Sequence, residues 1–143
     1  RAYDNFGNHD RALIFYEKAL NENPAQPDLL NSAGVIYQNK GQNEKALNYF
    51  SKSIKLNQSS ELPFYNRANL FKADGEWKKS IEDYNRAIEI KPQFSEAYNN
   101  RGVSQIMIGD TIKALEDFKM AVNLDPSNSM FKKNFERLKS TME

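Results

Sequence analysis

The sequence predicts an all-α solenoid of stacked helical hairpins, and three columns of residues predict it. Gly7, Gly41, Gly75 and Gly109 stand one interval apart (41−7, 75−41 and 109−75 are each 34). Ala12, Ala46, Ser80 and Ala114 keep the same interval, as do Tyr16, Phe50, Tyr84 and Phe118. A unit of this length, in which small and aromatic sites never exchange, is one supersecondary brick. It can bury its apolar face only by stacking on copies of itself. Such an array makes an extended surface suited to binding rather than an enclosed pocket suited to chemistry.

Taking Gly41 as position 15 gives complete units at 27–60, 61–94 and 95–128, after a partial unit at 1–26 and before a terminal segment at 129–143. Within each unit, positions 4, 8 and 11 (Leu30, Gly34, Tyr37; Phe64, Ala68, Phe71; Tyr98, Gly102, Gln105) fall on one helical face, and positions 20, 24, 27 and 28 fall on a second. The expected helices are the tail of one over 1–6, then 10–22, 28–39, 43–56, 61–73, 77–90, 95–107, 111–124 and 129–141. Small residues at positions 8, 20 and 27 let two axes approach while the aromatic at 24 fills the space beside them. A glycine at position 15 ends each first helix, and the proline column Pro24, Pro92 and Pro126 ends each second one.

Two residues break the columns. Gln58 replaces the proline, which predicts a less sharply specified end to the helix before it. Gln105 replaces the aromatic of Tyr3, Tyr37 and Phe71, and is expected either to loosen the local core or to lean outward. The last segment carries Phe131, Phe135, Leu138 and Met142 at helical spacing, with Lys132, Lys133, Arg137 and Lys139 around them, and reads as a capping helix. Arg1 falls at position 9 of a unit, which predicts a piece of a longer chain or a processed product.

With 20 basic and 19 acidic residues in 143, the net charge of +1 offers no field for nucleic acid or anionic lipid. No apolar run approaches the ~20 residues of a membrane helix, and no secretory signal opens the chain. The absence of cysteine excludes disulfides and thiolate metal sites; the compartment reading leans to the cytoplasm. No cofactor and no catalytic or metal-binding residue is expected. His9 is the lone histidine and reads as a turn residue. The adjacent acids Glu82 and Asp83, and Glu116 and Asp117, point about 100° apart on a helix and do not converge on one atom. The repeat glycines lack the lysine-serine signature of a phosphate loop.

The columns resemble the tetratricopeptide repeat motif throughout residues 1–128, with segments such as Tyr65-Asn66-Arg67-Ala68-Asn69 and Ala87-Ile88-Glu89-Ile90-Lys91-Pro92 close to its consensus. The resemblance implies antiparallel helix pairs in a right-handed superhelix whose concave groove is lined by first helices, at positions 2, 5, 6, 9, 12 and 13. Position 6 reads Ser32, Asn66, Asn100 and, counted into the cap, Asn134. A row of amides can pair both N–H and C=O groups of an extended peptide, so the expected partner is a protein or peptide ligand. Around the row stand Tyr65, Asn69, Lys72, Asn99, Val103, Ile106 and Met107. Val103, Ile106 and Met107 with Tyr65 form a side-chain pocket, or else Ile106 and Met107 pack beneath a following helix or against the cap. Arg67 and Arg101, at position 7, are expected to span neighbouring repeats or, alternatively, to meet an acidic ligand.

Family members that grip a chaperone C-terminus use lysine, arginine and asparagine at set positions, which the resemblance maps here to Asn31, Val35, Asn66, Glu96 and Asn100, or one repeat later to Tyr65, Asn69, Asn100, Met130 and Asn134. Neither register holds a cation, which argues against a terminal carboxylate as ligand. The reading is a non-enzymatic scaffold. Its alternatives are a substrate-recruiting accessory domain of a larger enzyme, or self-association through an uncovered edge carrying Tyr3, Phe6, Leu13, Phe15 and Tyr16.

Overall fold

The computed structural model describes the backbone of residues 2–143 and the side chains from Gly7 onward, so the expected contributions of Tyr3 and Phe6 lie outside the described residues. Among the described residues there are eight helices and no strand: α1 (Ala2–Glu22), α2 (Pro27–Asn39), α3 (Asn43–Leu56), α4 (Glu61–Ala73), α5 (Trp77–Ile90), α6 (Ser95–Met107), α7 (Thr111–Leu124) and α8 (Ser129–Met142). The fold is an all-α solenoid of helical hairpins. It divides inside α4 into two compact units, residues 1–66 and 67–143.

In unit 1, α2 and α3 form the expected hairpin. Gly41 takes φ 78° at the turn, where a side chain would be strained. Gly34 lets the helices close on each other, since a Cβ there would stand 2.6 Å from the Phe50 ring. Phe50 and Ala46 are fully buried in consequence. Burying a side chain of this size contributes about 2 kcal/mol. Ser53 Oγ donates to the Pro27 carbonyl at 2.8 Å, fastening the end of α3 to the start of α2. The missing proline leaves no mark on α3, which spans 14 residues as α5 and α7 do. Asn57 marks the stop: its side chain accepts from the Ser59 N–H at 2.9 Å, a local turn that competes with continued helix, as Asn23 does for the Ala25 N–H at 3.1 Å behind α1.

The first element departs from expectation. No turn forms at Gly7; α1 runs unbroken from Ala2 to Glu22, and Gly7 is not among the glycines with positive φ. Glycine permits a turn without compelling one, and here the helix continues through it at one hydrogen bond per residue. His9 is therefore helical rather than a turn residue, and its Nδ1 is buried without a hydrogen-bond partner among the described residues.

In unit 2, α6 and α7 repeat the close approach: a Cβ on Gly102 would stand 2.6 Å from the Phe118 ring and 3.3 Å from the Ala114 carbonyl. Ser80 occupies the small-residue column and uses its hydroxyl twice, donating to the Trp77 carbonyl and meeting Ser104 Oγ, both at 2.7 Å. Helix α8 is capped by Asn128, whose side chain accepts from the Phe131 N–H at 3.1 Å. It buries Phe131 and Leu138, the latter in a cluster with Ala114 and Phe118 that Val103, Leu115 and Phe135 complete. Met142, expected on the same face, is exposed. Gln105 does not lean outward; it is 6% exposed.

Candidate functional site

Position 6 and its neighbours in unit 2 form a chain of amides. Asn134 Nδ2 donates to Asn99 Oδ1 at 2.9 Å, Asn99 Nδ2 to Asn100 Oδ1 at 3.4 Å, and Asn100 Nδ2 to Asn69 Oδ1 at 3.1 Å. The Tyr84 hydroxyl also donates to Asn69 Oδ1. The four asparagines come from α4, α6 and α8, because the 34-residue interval returns each first helix beside the last one with the same face forward. These three amide-to-amide bonds pass from α8 through α6 to α4. Asn99 is 2% exposed, so it orients Asn134 and Asn100 rather than facing solvent; Asn69, Asn100 and Asn134 are half-buried. An amide has two N–H donors and an acceptor oxygen. The hydrogen bonds between these amides restrict the side-chain rotamers.

Beside Asn134 a recess of about 210 Å³ opens between α6 and α8, with α7 beneath. Ile106, Phe118 and Leu138 give it apolar walls, while Asn134, Arg137 and Thr141 give it polar ones. Ile106 is 37% exposed and Met107 is exposed, whereas Val103 is drawn into the core cluster with Leu138. Lys72, on α4, is half-buried, and that burial lowers its pKa from the ordinary lysine value. The sequence reading missed Arg137, Leu138 and Thr141 as lining; carrying the groove positions 9 and 13 past Asn134 into α8 would have found Arg137 and Thr141.

The arginines serve the frame. Arg67 donates from Nε and Nη2 to Asp83 at 2.7 and 2.8 Å, and Arg101 likewise to Asp117 at 2.8 and 2.7 Å. Both carboxylates are buried. These forks join the two helices of one repeat, α4 with α5 and α6 with α7, not neighbouring repeats as the sequence suggested. Arg101 also reaches the preceding repeat, donating from Nη1 to Asn85 Oδ1 at 2.8 Å. Burial acts to lower the Arg101 pKa, but the hydrogen bonds and charge of Asp117 outweigh it and raise the value.

In unit 1, Asn66 Nδ2 donates to Asn31 Oδ1 at 3.1 Å, again from position 6 to the preceding first helix. Ser32 and Tyr65 are half-buried on α2 and α4. The polar frame is different here. Glu17 of α1 accepts from the Tyr37 hydroxyl at 2.5 Å and the Tyr49 hydroxyl at 2.8 Å. The Tyr37 bond is the main cause that lowers the Glu17 pKa, against opposing burial. Burial and then the Glu17 hydrogen bond raise the pKa of both Tyr37 and Tyr49.

Sequence families described as "Tetratricopeptide repeat" match residues 1–26 and 15–48, and one described as "TPR repeat" matches 68–109. No curated protein sequence matches the chain. Among solved structures, that of MamA superposes with a TM-score of 0.88 at 21% identity, over 97% of this chain and 81% of MamA. The second TPR domain of human RPAP3, in complex with an HSP70 peptide, gives 0.73 at 21% identity over 80% of this chain and 98% of that one. The Arabidopsis OM64 TPR domain gives 0.76 at 26% identity over 80% and 94%.

Proposed function

The chain belongs to the tetratricopeptide-repeat family, and from that premise we propose that it is a non-catalytic protein-interaction scaffold whose first helices hold an extended segment of another polypeptide. One observation carries the reading. The amide chain of unit 2 ends at Asn134, beside the recess lined by Ile106 and Leu138. Fixed amides pair with a peptide backbone at low entropic cost, and a neighbouring apolar hollow takes one side chain. The human RPAP3 domain is similar in fold and carries a bound peptide. The positions that would grip a terminal carboxylate hold no cation here, so the ligand is read through its backbone and one apolar side chain rather than its end.

Panning a displayed random-peptide library against the chain tests this. Selected peptides should shift amide resonances of α6 and α8, and Asn100→Ala with Asn134→Ala should weaken them at least about tenfold, the size expected of two lost hydrogen bonds, with helicity unchanged. Peptides that map elsewhere, or that bind the double variant equally well, defeat the proposal.

A second reading rests on α1, where Ile14 and Phe15 are 71% and 64% exposed. That face would pair with a second copy. Leu13, expected on the same edge, is buried in unit 1 instead. A mass independent of concentration across a dilution series removes this reading.

A further inference from the structure

The amide chain of unit 2 has a cation beyond each of its ends. On α4, Lys72 follows Asn69 by one turn, and on α8, Arg137 follows Asn134 by one turn, so each shares the helical face of its amide. Between them α6 presents Ile106, which faces Arg137 and Leu138 across the recess. Neither Lys72 nor Arg137 has a hydrogen bond or ion pair among the described residues. By contrast, Arg67, Lys79, Arg86, Arg101 and Lys113 of the same unit each hold a carboxylate.

Both cations can be reached. Arg137 is exposed, and Lys72 is half-buried with its Nζ still open to solvent. Burial lowers the Lys72 pKa, because the ammonium has lost water without gaining a partner, and a carboxylate set beside it would restore that loss. Lys133, also exposed, adds a third cation one turn before Arg137. Two acids stand near. Glu96 lies one turn before Asn100, on the other side of the amides, where Ser95 Oγ donates to its Oε1 at 2.5 Å. Glu136 precedes Arg137 and so points about 100° away from it. The chain as a whole carries only +1, yet this face is positive.

We propose that the polypeptide held by unit 2 is acidic: one aspartate or glutamate side chain meets Lys72, another meets Arg137, and an apolar side chain enters the recess beside Ile106. This rests on the peptide reading above and adds the chemistry of the ligand. Packed helices lie about 9 Å apart, so a strand crossing from α4 over α6 to α8 covers about 18 Å, or about five to six residues at about 3.3 Å each. The two acids therefore lie inside the peptide, not at its end.

A displayed random-peptide library panned against the intact chain tests this, with the selected peptides resynthesised as C-terminal amides. They should carry two acids at about that spacing around an apolar residue. Replacing both acids by their amides should weaken binding at least about tenfold at low salt, and added salt should weaken the acidic peptides alone. Lys72→Gln and Arg137→Gln should each weaken the acidic peptides about fivefold, leave the neutralised ones unchanged and not lower the melting temperature. Arg137→Glu should come to prefer a peptide with lysine in place of the matching acid, a swap that lost packing cannot produce. Selected peptides that map to α6 and α8 without acids, or that ignore these substitutions, overturn the acidic ligand and leave the scaffold reading standing. If no peptide maps to these helices, both readings fall. Heparin bound at the same residues as tightly as the peptides would mark a general polyanion surface and overturn the choice of partner.

Discussion

In unit 1 one carboxylate, Glu17, gathers two phenols; in unit 2 two carboxylates, Asp83 and Asp117, each receive a forked guanidinium. The positions explain the difference. Position 7 reads Ala33, Arg67, Arg101, and position 23 reads Tyr49, Asp83, Asp117. Where position 7 is the fully buried Ala33, an aspartate at 23 would be a buried charge with no cation across the hairpin, and a tyrosine stands there instead. The two positions change together, so each repeat keeps its hairpin polar groups satisfied by one of two chemistries. The first depends on a carboxylate from α1; in the second each hairpin carries its own carboxylate and guanidinium.

The sharpest break in that comparison is Asp117→Ala. It strands the Arg101 guanidinium, whose side chain is only 19% exposed, and should cost about 3 kcal/mol in urea unfolding. A loss below about 1 kcal/mol would mean the fork is solvated enough to be dispensable. Next come Gly34→Ala and Gly102→Ala, one in each unit, which push a methyl group into Phe50 and Phe118 and should cost about 1–3 kcal/mol each. Gly102→Ala should cost more, because its Cβ also meets the Ala114 carbonyl. Equal or reversed losses would show that the two hairpins relax differently.

The smallest effect is Glu17→Gln, at about 1 kcal/mol near neutral pH. Its pH dependence is the more telling readout. The folded-state pKa of Glu17 is depressed, so its contribution is present above the unfolded value of about 4.3 and is lost as pH falls through the lower folded value. Tyr37 is raised, so its contribution is present below the unfolded value of about 10 and is lost as pH rises through the folded one. Melting curves of the parent chain and of Tyr37→Phe should therefore converge in strong base. Parallel curves would remove the titrating tie from the account of unit 1.

Most helix limits were legible because each is set by a local rule: a glycine needing positive φ at 41, 75 and 109, a proline or an Asn57 turn behind each second helix. Gly7 was misread because glycine permits a turn without compelling one. The amide column was legible as spacing alone. Its partners were not: Asn134 chooses Asn99 and Asn100 chooses Asn69, across 35 and 31 residues, through rotamers that only packing fixes. The same holds for Arg67 and Arg101, whose geometry turned each fork inward to a carboxylate of its own repeat.

The hydroxyls of Ser80 and Ser104 carry a consequence for how this chain can drift. Ser80 has already committed its proton to the Trp77 carbonyl, so Ser104 is the donor of the pair. Losing Ser104 first merely frees a lone pair on Ser80, while losing Ser80 first leaves a proton on Ser104 facing hydrocarbon. Two neutral-looking alanine replacements thus have a preferred order, and a thermodynamic square built from Ser80→Ala, Ser104→Ala and their combination should be steeper along the side that begins at Ser80.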